Sequence, residues 1–164
     1  RGNVIEYKSP ATVNITPKLG VTAGRIIPSV SIDPAEGGTL LFYTKSPGSY
    51  AFAMLNNGSG LNLTGWNYIN ASTYMLLGYN TSQSAEWYFG VSRNSNLSAF
   101  TFDAVDKTAF SRNDDSKKRK SVKLNVTSLS GVYFLYIAVK VTGGSENINE
   151  RSQYSVKDIT LSTQ

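Results

Sequence analysis

The alternation of apolar residues over residues 132–141 constrains the fold of this chain more than any other feature of its sequence. Successive side chains of a β-strand point to opposite faces of a sheet, so residues two apart share a face. One face of this run would carry Tyr133, Leu135, Ile137, Val139 and Val141. The other face begins with Phe134 and Tyr136. The pattern therefore predicts a central strand that is covered on both sides at its start.

Several shorter runs show the same period and are separated by Gly, Pro, Asn and Ser. Residues 39–45 and 49–55 are joined by Ser46-Pro47-Gly48, a sequence typical of a tight turn, and we expect them to pair as a hairpin. The other predicted strands are 4–7, 12–16, 25–32, 73–79, 86–91, 99–103, 121–126 and 156–162. The best candidate for a helix is the short segment 105–112.

These patterns predict an all-β fold, a single β-sandwich or jelly roll of about ten antiparallel strands with little or no helix. No internal repeat and no linker-like shift in composition interrupts the chain, so we expect one domain over residues 1–164. The chain opens without a charged and then apolar leader, which is typical of a soluble fragment. No stretch approaches the roughly 20 apolar residues of a membrane span, so membrane insertion is not expected.

The chain has no histidine and no cysteine, but it has ten Tyr, seven Phe and two Trp. Without histidine, no side chain has an unperturbed pKa near neutrality, which handicaps general acid–base catalysis. Zinc sites and nucleophile–base pairs that are built on Cys and His are excluded. We therefore expect a recognition module with no catalytic residues rather than an enzyme.

Five positive charges fall within seven residues, at Lys117, Lys118, Arg119, Lys120 and Lys123. The other 11 of the 16 basic residues balance the 11 acidic ones, so this run accounts for the net charge of +5. The simplest interpretation is a solvated loop between two strands. The alternative is attraction to an anionic surface, such as a phosphate-bearing cell-wall polymer. Nucleic acid is not an expected partner, because neither an RNA-binding aromatic signature nor a basic amphipathic helix accompanies the run.

The segment 56–72 is long for a connection between strands, and long loops in compact domains tend to be functional or disordered. Trp66, Asn67, Tyr68 and Asn70 place aromatic rings and amides within five residues. A sugar site needs aromatic faces for stacking and amides or charged groups for directional hydrogen bonds. We therefore predict these four as ligand-binding residues. The alternative for Trp66 is that it plugs one end of the sandwich.

A second candidate lies on the predicted strand 86–91. Alternation places Trp87, Phe89 and Val91 on one face, which we interpret as core. Tyr88 then points the other way, and we expect it to be exposed and to bind ligand together with the nearby Arg93.

The stretch Ser128-Leu129-Ser130-Gly131, followed by the strand 132–137, resembles the penultimate part of galactose-binding-like jelly rolls. The segment 156–161 is similar to their closing strand, which returns beside the first strand, and residues 39–55 to their early hairpin. The resemblance implies a carbohydrate-binding module. It also implies a sugar-binding amide in the loop before the last strand, where Asn147 and Asn149 lie.

Such modules occur in bacterial glycosidases, adhesins and phage tail proteins. The lack of Cys and the abundance of Asn, Ser and Thr favour a host-recognition module of a phage tail or receptor-binding protein. We expect a cell-surface saccharide as partner, a place in a larger multivalent assembly, and a location on the virion or at the cell surface.

Related jelly rolls hold a structural calcium ion with carboxylates of the first and last strands, and Glu6 and Asp158 stand in suitable places. The second glutamate of the usual opening strand is absent, since Tyr7 and Lys8 follow Glu6. An ordinary exposed carboxylate at each position explains the same residues, so no cofactor is expected, with calcium as the alternative.

Two other functions compete with sugar binding. A glycosidase needs two carboxylates that face each other across a cleft, and it does not require histidine. The only plausible catalytic carboxylates are Glu86, Asp103 and Asp106. The other alternative is a structural or oligomer-forming domain of a viral fibre or coat.

Overall fold

The computed structural model describes residues 11–13, 15–23, 29–44, 47–76, 84–111, 118–143 and 147–164. These residues form β-strands and one 3₁₀ turn, with no α-helix among them. The strands are β1 (Ala11–Thr12), β2 (Lys18–Ala23), β3 (Ser29–Asp33), β4 (Gly37–Thr44), β5 (Tyr50–Met54), β6 (Leu61–Asn62), β7 (Tyr68–Leu76), β8 (Ser84–Ser92), β9 (Ala104–Ser111), β10 (Lys118–Asn125), β11 (Val132–Gly143) and β12 (Asn147–Ser162).

The strands form two antiparallel sheets, and the predicted β-sandwich is thereby confirmed. The first sheet has the order β10-β7-β12-β4-β3, with β1 beside β12. The second has the order β2-β5-β11-β8-β9, with β6 beside β11. Strand β11 contains the alternating run 132–141 and lies in the middle of its sheet, as its two apolar faces predict. The closing strand β12 pairs with β1, the first strand among the described residues.

The predicted hairpin over residues 39–55 is wrong. Strand β4 pairs with β3 and β12, whereas β5 pairs with β2 and β11, so the two strands belong to opposite sheets. The connection between them crosses from one sheet to the other. A turn sequence such as Pro47-Gly48 reverses the chain in both arrangements, and it does not say whether the strands that follow will share a sheet.

Two further elements differ from their predictions. The helical candidate 105–112 falls on β9, which is an edge strand whose residues alternate between exposed and partly buried. The predicted strand 99–103 is instead part of a non-strand segment between β8 and β9. Of the other predicted strands, 4–7 lies outside the described residues, and the described part of 12–16 forms a strand only at its first residue, in β1.

The main core lies between the two sheets. Trp87 is 1% exposed and packs edge-on against Phe42 and Tyr154 across the sandwich. Ala51 and Ala53 face this core. The prediction that Trp87 is core is confirmed.

A second, smaller core lies on the outer face of the second sheet. Phe52, Met54 and Tyr136 point outward there and are covered by the connection 93–103, which contributes Leu97 and Phe100. The large side chains of β5, Phe52 and Met54, are therefore buried on the face away from the first sheet.

Glycine is required where β3 turns into β4. Gly37 has a φ of +83°, and a Cβ at this position would lie 2.4 Å from the carbonyl oxygen of Val156. Asp33 begins the turn by accepting hydrogen bonds from the backbone N–H groups of Ala35 and Glu36. The turn therefore sits tightly against β12.

Candidate functional site

The outer face of the first sheet carries the best candidate for a site, and we call the part of it formed by β10, β7 and β12 the open face. Residues of β7 alternate between partly exposed and buried along its whole length. Its partly exposed members, on the open face, are Tyr68, Asn70, Ser72, Tyr74 and Leu76. Neighbouring β10 adds Arg119, Ser121, Lys123 and Asn125 by its register with β7.

Tyrosine–cation pairs stand at two positions along β7. The Lys123 ammonium lies 4.4 Å from the ring centroid of Tyr68, and the Arg119 guanidinium lies 5.4 Å from that of Tyr74. The tyrosines are six positions apart along the strand, which corresponds to about 20 Å at a rise of roughly 3.3 Å per residue. The open face therefore has aromatic groups at both ends of an extended strip.

A shallow depression of about 370 Å³ lies between the two tyrosines. Five of its seven lining residues are polar, and they supply an amide, two hydroxyls, an ammonium and a carboxylate. The lining residues are Asn70, Ala71, Ser72, Ser121, Val122, Lys123 and Asp158.

Asp158 reaches this depression because β12 contains a β-bulge. Lys157 pairs with Ser72 and Thr160 with Asn70, so three steps along β12 correspond to two along β7. Asp158 adopts a φ of +55°, in the left-handed region that non-glycine residues seldom occupy. Ile159 remains in the core, while Lys157 and Asp158 both project outward. The bulge thus places two consecutive side chains on the open face.

The turn between β3 and β4 borders the open face. Lys157 Nζ donates a hydrogen bond of 2.9 Å to the carbonyl oxygen of Ala35. Arg119 forms a salt bridge with Glu36 and also donates to Ser72 Oγ at 2.9 Å. These contacts hold the guanidinium beside Tyr74 and neutralise its charge locally.

The four ligand-binding residues that were predicted within the segment 56–72 do not all lie on one surface. Tyr68 and Asn70 lie on β7 rather than in a loop, and both face the open face. Asn70 Nδ2 donates to Ser162 Oγ at 2.8 Å, and no described residue donates to its Oδ1. Trp66 is half-buried and packs against the main core. Whether any of the four binds a ligand stays a prediction.

Asn67 fastens the start of β7 to the end of the chain. Its Nδ2 donates to the carbonyl oxygen of Thr163 at 3.0 Å, and its backbone N–H donates to Ser162. Its carbonyl oxygen accepts from the backbone of Val126. Its side-chain Oδ1 is buried without a hydrogen bond. These contacts are typical of a residue that joins segments.

The expectation that Tyr88 is exposed is wrong. Its ring is buried beneath Phe100 and Phe102, at 7% exposure, because the connection 93–103 folds over it. Its hydroxyl donates to Glu86 Oε1 at 2.7 Å. Burial, together with this bond to a carboxylate, raises the pKa of Tyr88 above that of a free phenol.

Arg93 is exposed but already engaged. Its Nη2 donates to the carbonyl oxygen of Ser130 at 2.7 Å, and its guanidinium lies 4.4 Å from the ring centroid of Tyr133. Tyr88 and Arg93 therefore do not form a shared binding surface, contrary to the sequence-based expectation.

The remaining predicted residues lie partly beyond what the structure describes. Asn147 and Asn149 belong to β12 rather than to a loop before it, and Asn147 pairs with Thr44. Glu6 lies outside the described residues, so its predicted calcium pairing with Asp158 stays a prediction. The part of the chain that is described contains no group of three or more carboxylates that could hold a metal ion. Nor does it contain a helix that could span a membrane.

The basic run does not form one cationic surface in the described residues. Strand β10 begins at Lys118, and alternation along it sends Arg119 and Lys123 to the open face. Lys120 points the other way and contacts Asp106 Oδ2 at 2.9 Å. The expectation that the basic run is a solvated loop is wrong for its four described members, because Lys118, Arg119, Lys120 and Lys123 lie on β10, whose pairing with β7 makes this stretch a strand. Lys117 lies outside the described residues.

The three carboxylates that a glycosidase would use are not brought together. Glu86 lies on the outer face of the second sheet, where it bonds Tyr88 and Lys107. Asp106 points toward the first sheet, and Asp103 accepts from the backbone of Arg93 at 2.9 Å. Two carboxylates on opposite faces of one sheet cannot face each other across a cleft.

Sequence reasoning missed Tyr74, Arg119 and Lys123 as members of a site. The signal was present, because extending the period of two from the predicted strand 73–79 back to residue 68 places Tyr68 and Tyr74 on one face. This alternation was not recognised because residues 56–72 were interpreted as a loop.

Comparison with known proteins identifies the fold. Sequence comparison finds no matching family model and no similar protein among curated sequences. Among solved structures, the carbohydrate-binding module TmCBM27, studied for specific mannan recognition, superposes with a TM-score of 0.51 and 11% identity over 94% of this chain and 98% of its own. The arabinose-bound arabinofuranosidase MgGH51 gives a TM-score of 0.51 and 15% identity over 87% of this chain. This chain spans 22% of that enzyme's length. At these identities the likeness shows a shared β-sandwich fold.

Proposed function

We propose that this protein is a non-catalytic carbohydrate-binding module whose open face binds an extended glycan along β7. The observation that carries the proposal is the strip between Tyr68 and Tyr74, with a polar depression in its middle. Sugars present apolar C–H faces and a rim of hydroxyls, which match aromatic rings and polar side chains respectively. The shared fold with a mannan-recognition module supports the same class of ligand.

The Tyr68 ring is available to a sugar although the Lys123 ammonium lies over it. An exposed cation–π pair is worth about 0.5–1 kcal/mol, whereas burying an aromatic side chain is worth about 1.5–3 kcal/mol. Lys123 is exposed and can therefore move aside at small cost when a sugar stacks on Tyr68. Arg119 is held by Glu36 and Ser72, so it would stay in place and donate to sugar hydroxyls beside Tyr74.

A shallow site of this kind binds a single glycan weakly, with a dissociation constant on the order of micromolar to millimolar. Several copies on one particle would convert weak contacts into firm attachment through effective concentration. We therefore propose a role in attachment to a cell-surface or cell-wall polysaccharide, as part of a multivalent phage tail or bacterial surface assembly. The absence of a facing carboxylate pair among the predicted set favours binding without chemistry.

The experiment is titration calorimetry of the protein against soluble polysaccharides, including mannan, galactan, xylan, β-glucan and polygalacturonate. We expect binding of at least one of them to weaken by roughly tenfold or more in both Tyr68→Ala and Tyr74→Ala. Tyr50→Ala is the matched control, because Tyr50 is a half-buried tyrosine on the outer face of the other sheet. Loss of binding in the control alone would place the sugar site on the outer face of the second sheet. Binding to no glycan together with a stable oligomer in solution would favour the structural-domain alternative.

A further inference from the structure

We propose that Asp158 is the specificity-determining residue of the open face, where its carboxylate accepts hydrogen bonds from two adjacent hydroxyls of a neutral sugar. This inference rests on the proposed function and names the chemical class of its ligand. It assigns to Asp158 a role in sugar recognition in place of the calcium ligation that the sequence resemblance implies.

The backbone conformation at Asp158 directs its side chain into the depression. A non-glycine residue in the left-handed region is uncommon and persists where the surroundings fix it. Here the β-bulge fixes it, since Ile159 is anchored in the core and accepts a backbone hydrogen bond of 3.0 Å from Val13. The carboxylate projects into the depression between the tyrosines, is exposed, and bonds no described residue. The strained conformation thus displays an available acceptor at the centre of the strip.

The groups around the depression are arranged for a ligand that donates hydrogen bonds. Asp158 and Asn70 Oδ1 are acceptors that no described residue occupies. The Ser72 hydroxyl already accepts from Arg119. An ionised carboxylate has two oxygens and accepts hydrogen bonds only, so two neighbouring hydroxyls are a natural partner. Hydrogen bonds to a charged group are also stronger than those between neutral groups.

The charges of the open face favour a neutral ligand. Arg119 is paired with Glu36, and the Lys157 ammonium lies on the Ala35 carbonyl. In the depression itself Lys123 and Asp158 balance each other. A carboxylate or phosphate on the ligand would meet the charge of Asp158 in the depression, which is unfavourable. The excess positive charge of the whole chain therefore does not make this face a site for anionic polymers.

The test uses two variants that keep the backbone. Asn tolerates the left-handed conformation at least as well as Asp, and Gly adopts it freely, so Asp158→Asn and Asp158→Gly should both fold. Each is titrated with neutral mannan, galactan, xylan and β-glucan and with anionic polygalacturonate. Glu86→Gln is the matched control, because it removes one carboxylate charge from the outer face of the other sheet.

We expect the neutral polysaccharide that the wild type prefers to bind roughly tenfold to a hundredfold more weakly to both Asp158 variants. Glu86→Gln should bind like the wild type. If the wild type instead binds polygalacturonate more tightly than every neutral polysaccharide of the panel, the ligand is anionic and the inference is wrong.

Two other outcomes separate this inference from the proposed function. If the wild type binds a neutral glycan and the Asp158 variants bind it equally well, the inference fails alone. If the wild type binds no polysaccharide of the panel, the proposed function fails and takes the inference with it. Titration in the presence of EDTA completes the test, because loss of binding on chelation would make Asp158 a metal ligand and overturn its direct role.

Discussion

Lys120 and Asp106 join the edges of the two sheets, with Lys120 Nζ 2.9 Å from Asp106 Oδ2. Lys120 lies on β10, at the edge of the first sheet, and Asp106 on β9, at the edge of the second. Lys120 also donates to Thr108 Oγ1 at 2.6 Å. This side of the sandwich is therefore closed by a partly buried ion pair, and one of the five clustered cations stabilises the fold instead of facing a partner.

Lys120→Met should lower the free energy of unfolding by about 1–2 kcal/mol, because it leaves the partly buried carboxylate of Asp106 without its partner. Lys107→Met is the control. Lys107 pairs with Glu86 at 3.3 Å, but its side chain is 54% exposed, so its loss should lower stability by less than about 1 kcal/mol. Urea unfolding followed by tryptophan fluorescence measures both. Equal effects of the two substitutions would contradict a stabilising bridge between the sheets.

Trp66→Ala should lower the free energy of unfolding by about 1–3 kcal/mol, since a half-buried tryptophan that packs on the core leaves a gap when it is truncated. The same variant tests its predicted role in binding. If Trp66 only packs, glycan affinity measured well below the melting temperature stays unchanged. Weakened binding with unchanged stability would instead return Trp66 to the binding site.

Tyr136→Phe should loosen the connection 93–103. The Tyr136 hydroxyl is buried, donates to the Asn94 carbonyl oxygen at 2.5 Å and accepts from the Leu97 N–H at 3.2 Å. Its loss leaves both backbone groups unpaired, which lowers the free energy of unfolding by about 1–2 kcal/mol. Hydrogen exchange of residues 93–103 should then accelerate.

Tyr133→Phe is the matched control for this substitution, because no described residue hydrogen-bonds the Tyr133 hydroxyl. Its effect on stability should be within about 0.5 kcal/mol of zero. Unchanged exchange in Tyr136→Phe would show that packing of Phe100 and Phe102 alone holds the connection over the second sheet.

The position of a central strand could be predicted from the sequence, because a strand that is buried on both sides carries apolar residues on both faces. The run 132–141 reads as apolar on both faces, and it is β11, central and covered by the second core. Strand partners could not be predicted in the same way. The turn sequence Pro47-Gly48 is compatible with a hairpin and also with a connection that crosses to the other sheet. The pairing of β5 with β11 and of β4 with β12 decides which of the two forms.

The candidate site was only half predictable for a related reason. Tyr68 and Asn70 were identified by their chemistry, and Tyr74 lies on the same strand. Lys123 and Asp158 join them only through the pairing of β7 with β10 and β12. The bulge that turns Asp158 toward the depression has no local sequence signal, because Asp is compatible with both extended and left-handed backbone. The exposure of Tyr88 was predicted wrongly because the segment that covers it was itself predicted to be a strand, at residues 99–103.

Stability should fall in acid in a way that depends on Glu86. The hydrogen bond from Tyr88, aided by Lys107, lowers the pKa of Glu86 below its usual value of 4.5. A carboxyl group whose pKa is lower in the folded state stabilises the fold above its unfolded pKa, and that stabilisation is lost as the pH falls through the folded pKa. The Glu86→Gln variant has no carboxyl group at this position, so its stability lacks this pH-dependent contribution. The difference in unfolding free energy between wild type and variant should therefore be larger at pH 7 than at about pH 2.5. Urea unfolding at a series of pH values measures this difference, and parallel pH profiles for the two proteins would show that Glu86 contributes nothing through its charge.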